Sequence, residues 1–211
     1  MYSFKGVIRL IVLFILISFS FLLKSQPIKE IKLGNQIWML HNLNVDKFRN
    51  GDNIPQAKSL EEWKKARDKK QPAWCYYNND PKNGNKYGRL YNWYAVNDPR
   101  GIAPIGWHIP SDYEWSVLEK SIGNEIGKKF KGKSAWVIDG ENGKIVLSSL
   151  AGGYRYDYGE FFNIGYDGDW WSSSVNESED AWIRYMDYYN GFVSRFFYYK
   201  GLGLSVRCVK D

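Results

Sequence analysis

Two aromatic-rich runs near the C-terminus, AWIRYMDYY and FVSRFFYYK, constrain the fold more than any other feature, because they flank Asn190 and Gly191. Asn-Gly is the dipeptide best suited to the two-residue type I′ turn of a β-hairpin. Pairing outward from that turn places Asp187 opposite Ser194. The chain is therefore expected to contain an antiparallel sheet that carries many aromatic side chains.

The N-terminus has the pattern of an export signal. Lys5 and Arg9 precede an apolar run over residues 10–23, which ends at residues 24–26, KSQ. This order is typical of a secretory signal peptide, here residues 1–25, and an uncleaved N-terminal anchor is the alternative. The run is shorter than the roughly 20 residues of a membrane-spanning helix, so no span is expected after cleavage. We expect a secreted or cell-surface protein.

The net charge and the length limit the classes of protein that remain. Removing the signal segment, with Lys5, Arg9 and Lys24, lowers the formal net charge from +6 to +3. So small an excess gives no argument for binding nucleic acid. Residues 26–211 have the size of one domain, and a single domain is expected.

The two cysteines, Cys75 and Cys208, both lie in the expected mature chain. Exported proteins meet oxidising conditions in which an even pair tends to bridge, so a disulfide between them is expected. Two buried, unpaired thiols are the alternative. The closing segment GLSVRCV is predicted to be a strand that turns Cys208 inward, with Ser205 and Arg207 on the opposite face.

Local signals predict the other elements. Ser59 followed by Glu62 is a capping box that predicts a short helix. Apolar residues at helical spacing predict a second helix over residues 88–96. The alternating segments on each side of Gly34 and Asn35 predict an N-terminal hairpin. The cluster NNDPKNGNKYG is predicted to form turns.

The stretch GWHIPSDYEWSVLEKSIG predicts a firmly capped helix. Ser111 is its N-cap, Glu114 is the third helical residue, and Gly123 ends it. His108 stands on the apolar approach to this helix, with no second histidine, cysteine or carboxylate at ligand spacing. We interpret His108 as a hydrogen-bonded packing residue rather than a catalytic one.

An ordered series of aromatic segments carries a family resemblance. The segments are GNQIWMLHNLNV, AWCYYNNDPKNGNKYGRLYNWYAVND, GWHIPSDYEWSVLE, GGYRYDYGEFF, WWSSS and GLSVRCVKD. From about residue 31 to residue 211 the chain resembles the Fibrobacter succinogenes major paralogous domain family, a branch of the C-type lectin-like fold near the formylglycine-generating and sulfatase-modifying group. The resemblance implies an α+β fold with two helices beside a twisted antiparallel sheet and long irregular loops. It also implies export or surface display.

Catalytic patterns are missing from the sequence. His41 and His108 are the only histidines, and neither a Gly-x-Ser-x-Gly nor a His-Glu-x-x-His motif accompanies them. Formylglycine-generating enzymes hold copper with a pair of nearby cysteines, whereas Cys75 and Cys208 are far apart in sequence. We predict no enzyme, and a copper oxidase of that kind is kept as an alternative.

The segment YRYDYGEFFNIGYDGDWW is the candidate binding region. Aromatic faces stack on sugars or peptides, while carboxylates and arginines bond polar edges. The candidate ligand-binding residues are Arg155, Tyr156, Asp157, Tyr166, Asp167, Asp169, Trp170 and Trp171. The alternative is that these side chains belong to the core.

Asp167 and Asp169 also offer the hard oxygen ligands that calcium prefers, and no other cofactor is expected. A solvated acidic loop is the other interpretation of these residues. We therefore predict a non-enzymatic binding domain for a glycan or protein ligand. The alternative is a structural subunit of a surface layer that docks through the aromatic hairpin, and the oligomeric state is left open.

Overall fold

The computed structural model describes residues 28–122, 137–140, 143–146, 151–187 and 193–211. The predicted signal segment, residues 1–25, and the predicted turn at Asn190 and Gly191 lie outside the described residues. Within the described ranges, no helix combines the length and apolar character needed to cross a membrane.

Short helices alternate with short, mostly antiparallel strands. The helices are α1 Leu60–Asp68, α2 Pro81–Tyr87, α3 Trp93–Val96 and α4 Asp112–Ile122, with a 3₁₀ turn at Tyr77–Asn79. The strands are β1 Glu30–Leu33, β2 Gln36–Met39, β3 Trp74–Cys75, β4 Leu90–Tyr91, β5 Trp107–His108, β6 Val137–Gly140, β7 Gly143–Val146, β8 Tyr154–Arg155, β9 Phe161–Phe162, β10 Asp167–Val175, β11 Asp180–Asp187, β12 Val193–Tyr199 and β13 Val209–Lys210. The fold is α+β, and it has four helices among the described residues where the resemblance implied two.

A four-stranded sheet in the order β1-β2-β13-β5 joins the two ends of the described chain. The predicted N-terminal hairpin is confirmed, since β1 and β2 pair around Gly34, whose φ of +59° suits glycine. The last strand, β13, lies between β2 and β5, where Val209 pairs with both Trp38 and His108. The first and last strands of the domain are therefore parts of one sheet.

The second sheet has the order β10-β11-β12. The predicted pairing of the aromatic runs is confirmed, but its register differs by two residues, because Tyr185 rather than Asp187 lies opposite Ser194. Since side chains alternate with a period of two, this shift leaves each side chain on its predicted face. β12 is an edge strand of this sheet.

Both predicted capping boxes are confirmed. The Glu62 N–H donates to the Ser59 hydroxyl at 3.1 Å, and the Ser59 N–H donates to the Glu62 carboxylate at 2.9 Å. The same exchange at α4 joins Ser111 and Glu114, with distances of 3.2 and 2.8 Å. These side chains satisfy N–H groups that a helix start leaves unpaired.

Two predicted elements differ from the structure. Residues 88–96 form β4 and the single turn α3, because the Asn92 carboxamide oxygen accepts hydrogen bonds from the N–H groups of Ala73 and Ala95 and so ends the strand. The cluster predicted to form turns contains α2, which starts with proline after the N-cap Asp80. A capping aspartate followed by proline begins a helix, and this pattern outweighs the turn tendency of the residues that follow.

The closing segment is buried on both faces. Leu204 bridges to Tyr91 of β4 and Ser205 bridges to Trp170 of β10, so the segment lies between these two strands. Ser205 and Arg207, which were predicted to lie on the face opposite Cys208, are therefore buried as well. The regular strand β13 begins only at Val209.

Tryptophan side chains fill much of the core. One cluster joins the four-stranded sheet to α4 and to β10, and in it the Trp38 and Trp115 rings lie 4.7 Å apart. Arg184 of β11 is buried against α4, where it bonds the carboxylates of Asp112 and Glu119. The helix α4 thus covers one face of the second sheet, and the other face carries the side chains described below.

The predicted disulfide is not formed. Cys75 and Cys208 are free thiols, and they lie in different apolar clusters. Cys75 packs in the cluster of Trp63 and Leu90, whereas Cys208 lies in the main core with Tyr91. Burial raises the pKa of both thiols to about 12. The alternative of two buried thiols is the arrangement observed.

Candidate functional site

The two tryptophans of the predicted binding region belong to the core. Trp170 is 3 % exposed, and its ring N–H donates to the Asn42 side chain at 2.9 Å. Trp171 is fully buried and donates to the Tyr91 carbonyl at 2.8 Å. Rings whose faces are covered and whose N–H groups are satisfied do not stack on an external ligand, so their prediction as ligand contacts is corrected.

Arg155 is also a structural residue. Its buried guanidinium donates to the carbonyl oxygens of Ala57, Ser59 and Gly159 at 2.7 to 2.9 Å. It also lies over the Trp63 ring, 4.6 Å from the centroid. Arg155 therefore holds the start of α1 against the loop after β8. Its prediction as a ligand-binding residue is corrected, because its guanidinium is buried and bonded to the backbone.

Three predicted residues are at or near the surface. Tyr166 is 55 % exposed. Asp157 forms an ion pair with Arg67 at 3.6 Å. Tyr156 is half-buried, and its ring centroid is 4.5 Å from that of Tyr158. Of these three, only Tyr156 lies in the group of side chains that follows.

Asp167 and Asp169 point to the same face of β10, because residues two apart in a strand share a face. The Asp167 carboxylate accepts a hydrogen bond from the Asn163 side chain. Asp169 is 1 % exposed, and neither of its carboxylate oxygens has a hydrogen-bond partner among the described residues. Burial and then the negative charge of Asp167 raise the pKa of the Asp169 carboxyl well above its usual 3.8.

Four tyrosines accompany these acids, and together the six residues form what we call the tyrosine–acid site: Tyr154, Tyr156, Tyr185, Tyr198, Asp167 and Asp169. Each of the four tyrosines is half-buried against the main core. The Tyr154 ring centroid lies 6.5 Å from that of Tyr156 and 6.4 Å from that of Tyr198. Burial, and after it the charge of Asp169, raises the pKa of Tyr154 and takes the pKa of Tyr198 to about 12.

Sequence reasoning missed Tyr185 and Tyr198 as parts of the site. Tyr185 pairs directly with Asp169 across β10 and β11, and Tyr198 lies on the same face of the adjacent β12. The sequence could have shown that Tyr185 and Tyr198 share a face, because side chains alternate along each strand of the predicted hairpin. The sequence did not predict that β11 pairs with β10, because the two strands belong to separate motifs.

The arrangement is suited to recognition of a ligand by charge and ring contact. Carboxylates and phenol oxygens accept hydrogen bonds, while aromatic faces attract cations and apolar edges. Among the described residues, no group of three histidine, cysteine, aspartate or glutamate side chains is placed to hold a metal ion. The calcium expectation therefore depends on the Asp167 and Asp169 pair.

His108 lies at the four-stranded sheet, between two carboxylates. Its Nε2 is 2.7 Å from a Glu114 oxygen and its Nδ1 is 2.7 Å from an Asp211 oxygen. Burial opposes the charged ring, but the hydrogen bonds with Glu114 and Asp211 outweigh it and raise the His108 pKa above 6.5. This geometry supports the interpretation of His108 as a hydrogen-bonded packing residue that ties β5 to α4 and to the C-terminus.

Comparison with known proteins gives a family. No curated protein and no solved structure matched the sequence. Residues 31–210 match the family described as the Fibrobacter succinogenes major domain. Because this match covers most of the 211 residues, the chain belongs to the Fibrobacter succinogenes major domain family.

Proposed function

We propose that this chain is an exported, non-enzymatic binding domain with a C-type lectin-like fold, and that its ligand is a glycan or another protein. The observation that carries the proposal is the tyrosine–acid site, where a cluster of four half-buried tyrosines accompanies a buried carboxylate that has no hydrogen-bond partner among the described residues. Ligand-binding sites typically combine aromatic rings with a small number of polar groups that point to the same place. The joined chain ends, the helix α4 beside a sheet and the many loops support the fold assignment.

Export is supported by the N-terminal sequence, in which basic residues precede an apolar run. The absence of a catalytic motif supports a binding role.

The copper oxidase alternative needs Cys75 and Cys208 as neighbouring thiolates. Their burial in separate clusters, with thiol pKa values raised to about 12, argues against that reaction.

A glycan array and a pull-down from the surface proteins of the source cells test the proposal. Wild-type protein should capture a ligand, and Tyr156→Ala and Tyr198→Ala should each weaken the capture because they remove ring contacts at the site. Tyr113→Ala is the matched control, since Tyr113 is 74 % exposed on α4. Equal loss in all three variants, or no loss at the two site positions, would remove the site from the proposal.

The edge strand β12 favours a second candidate, an assembly subunit of a surface layer. Phe196, Phe197 and Tyr199 are 49, 41 and 56 % exposed on this strand. An exposed edge with aromatic side chains is a surface on which another chain can pair. Sedimentation over a range of protein concentrations tests this candidate, because assembly through β12 should depend on concentration and should be lost in Phe197→Lys.

A further inference from the structure

Within the described part of the chain, Asp169 has no counter-charge of the kind that a buried carboxylate normally has. Its described neighbours on the adjoining strands are acidic, hydroxyl-bearing or apolar: Asp167 on β10, Tyr185 on β11, Ser194, Phe196 and Tyr198 on β12, and Tyr154 on β8. Among the described residues, no lysine or arginine contributes to the shifted pKa of Asp169. Buried charges in proteins are usually paired, so the site is built to favour a positive charge that comes from outside.

The surroundings of Asp169 indicate which kind of cation fits. Tyrosine faces attract organic cations, and phenol oxygens accept hydrogen bonds from them. A calcium ion takes six to eight oxygen ligands and prefers charged carboxylates, whereas the described side chains of the site supply only two carboxylates beside their neutral phenols. The rings therefore favour an organic ammonium group over a metal ion.

The burial of Asp169 limits the shape of the ligand. Asp169 is 1 % exposed, and the tyrosines of the site are half-buried, so a ligand group that contacts its carboxylate has to be narrow. A lysine side chain has a flexible four-carbon stem that ends in a compact ammonium with three donors. An amino sugar carries its amine directly on a wide ring, and a guanidinium is a broad plane.

We propose that the tyrosine–acid site binds the ammonium group of a lysine side chain on a protein ligand, with Asp169 and Asp167 as the counter-charges. Where Asp169 is protonated in the free protein, it releases that proton to solvent when the ammonium binds. The four tyrosine rings then line the methylene stem, as rings do for other long cationic side chains. This inference deepens the proposed function and rests on it, because it chooses a protein over a glycan and names the group that is recognised.

The test is an NMR titration of the full chain with a capped peptide of glycine and serine that contains one lysine. Amide signals of the tyrosine–acid site should shift with the lysine peptide and stay unchanged with the matched N-acetyl-lysine peptide. Asp169→Asn should weaken binding by about tenfold or more, because a charge-assisted hydrogen bond is lost. Asp167→Asn should weaken it in the same direction. Asp157→Asn, which removes an acid paired with Arg67, should leave it unchanged.

Calcium chloride and glucosamine are titrated in parallel. Equal binding of the lysine and N-acetyl-lysine peptides would overturn the proposal, since the charge would then not be recognised. Calcium or glucosamine shifts that disappear in Asp169→Asn, without a response to lysine, would also overturn it. If the lysine peptide does not bind but the glycan array is positive, the lysine inference fails and the proposed function stands. If lysine peptide, array and pull-down are all negative, both fail. Circular dichroism of each variant confirms that it is folded.

Discussion

Replacing Asp169 by asparagine is expected to remove a pH-dependent cost of folding. Burial raises the pKa of Asp169 well above its usual 3.8 in the folded protein, and the charge of Asp167 adds to this effect. Between these two pKa values the folded protein holds a proton that the unfolded chain has released, so stability falls as pH rises. Each pH unit inside this window removes about 1.4 kcal/mol from the free energy of unfolding.

Urea denaturation followed by tryptophan fluorescence measures this effect in wild type and Asp169→Asn, at intervals from about pH 4.5 to about pH 8. Subtracting the two curves cancels the other titrating groups. Relative to wild type, the free energy of unfolding of the asparagine variant should rise by about 1.4 kcal/mol for each pH unit. This difference should level off at the pKa of Asp169 in the folded protein. Glu160→Gln, at an exposed carboxylate, is the control and should give a nearly constant difference. Parallel curves for wild type and Asp169→Asn would refute the reasoning.

Trp171→Ala should lower the free energy of unfolding by about 3–5 kcal/mol, because it leaves a cavity at a fully buried position. Tyr113→Ala, at an exposed position, should change it by less than about 0.5 kcal/mol, and urea denaturation measures both values. An NMR titration of His108 should give a midpoint above 6.5, because its hydrogen bonds to two carboxylates outweigh burial. The resulting stabilisation is complete below pH 6.5 and lost as pH rises through the raised pKa, so His108→Gln should lose most stability in acid. Cys75 and Cys208 should resist iodoacetamide in the native protein, and both should react with it in urea without reductant. Mass spectrometry measures the alkylation, and no alkylation in urea would indicate a disulfide.

The elements that were predicted correctly are those whose signals are local. The capping boxes at Ser59 and Ser111 and the turn at Gly34 need only residues close in sequence, and the structure contains all three. The helix predicted over residues 88–96 failed because Asn92 bonds the distant Ala73. Periodicity within a segment carries no information about such a partner.

The candidate site shows the same limit. The sequence pointed to the segment that contributes Tyr156, Asp167 and Asp169 to the candidate tyrosine–acid site. It could not separate the aspartates from Trp170 and Trp171, because alternation along β10 places Trp171 on the same face as Asp169 and so does not set the two tryptophans apart. Their burial is decided by the packing of distant elements against both faces of β10.

The position of β13 has a consequence for biosynthesis. Val209 joins the sheet by pairing with Trp38 and His108, so the hairpin of β1 and β2 gains its neighbouring strand only after Val209 has been synthesised. A ribosome that still holds β13 therefore keeps this sheet incomplete. The native sheet closes only after β13 is free to pair, and deletion of β13 is expected to act on the whole domain.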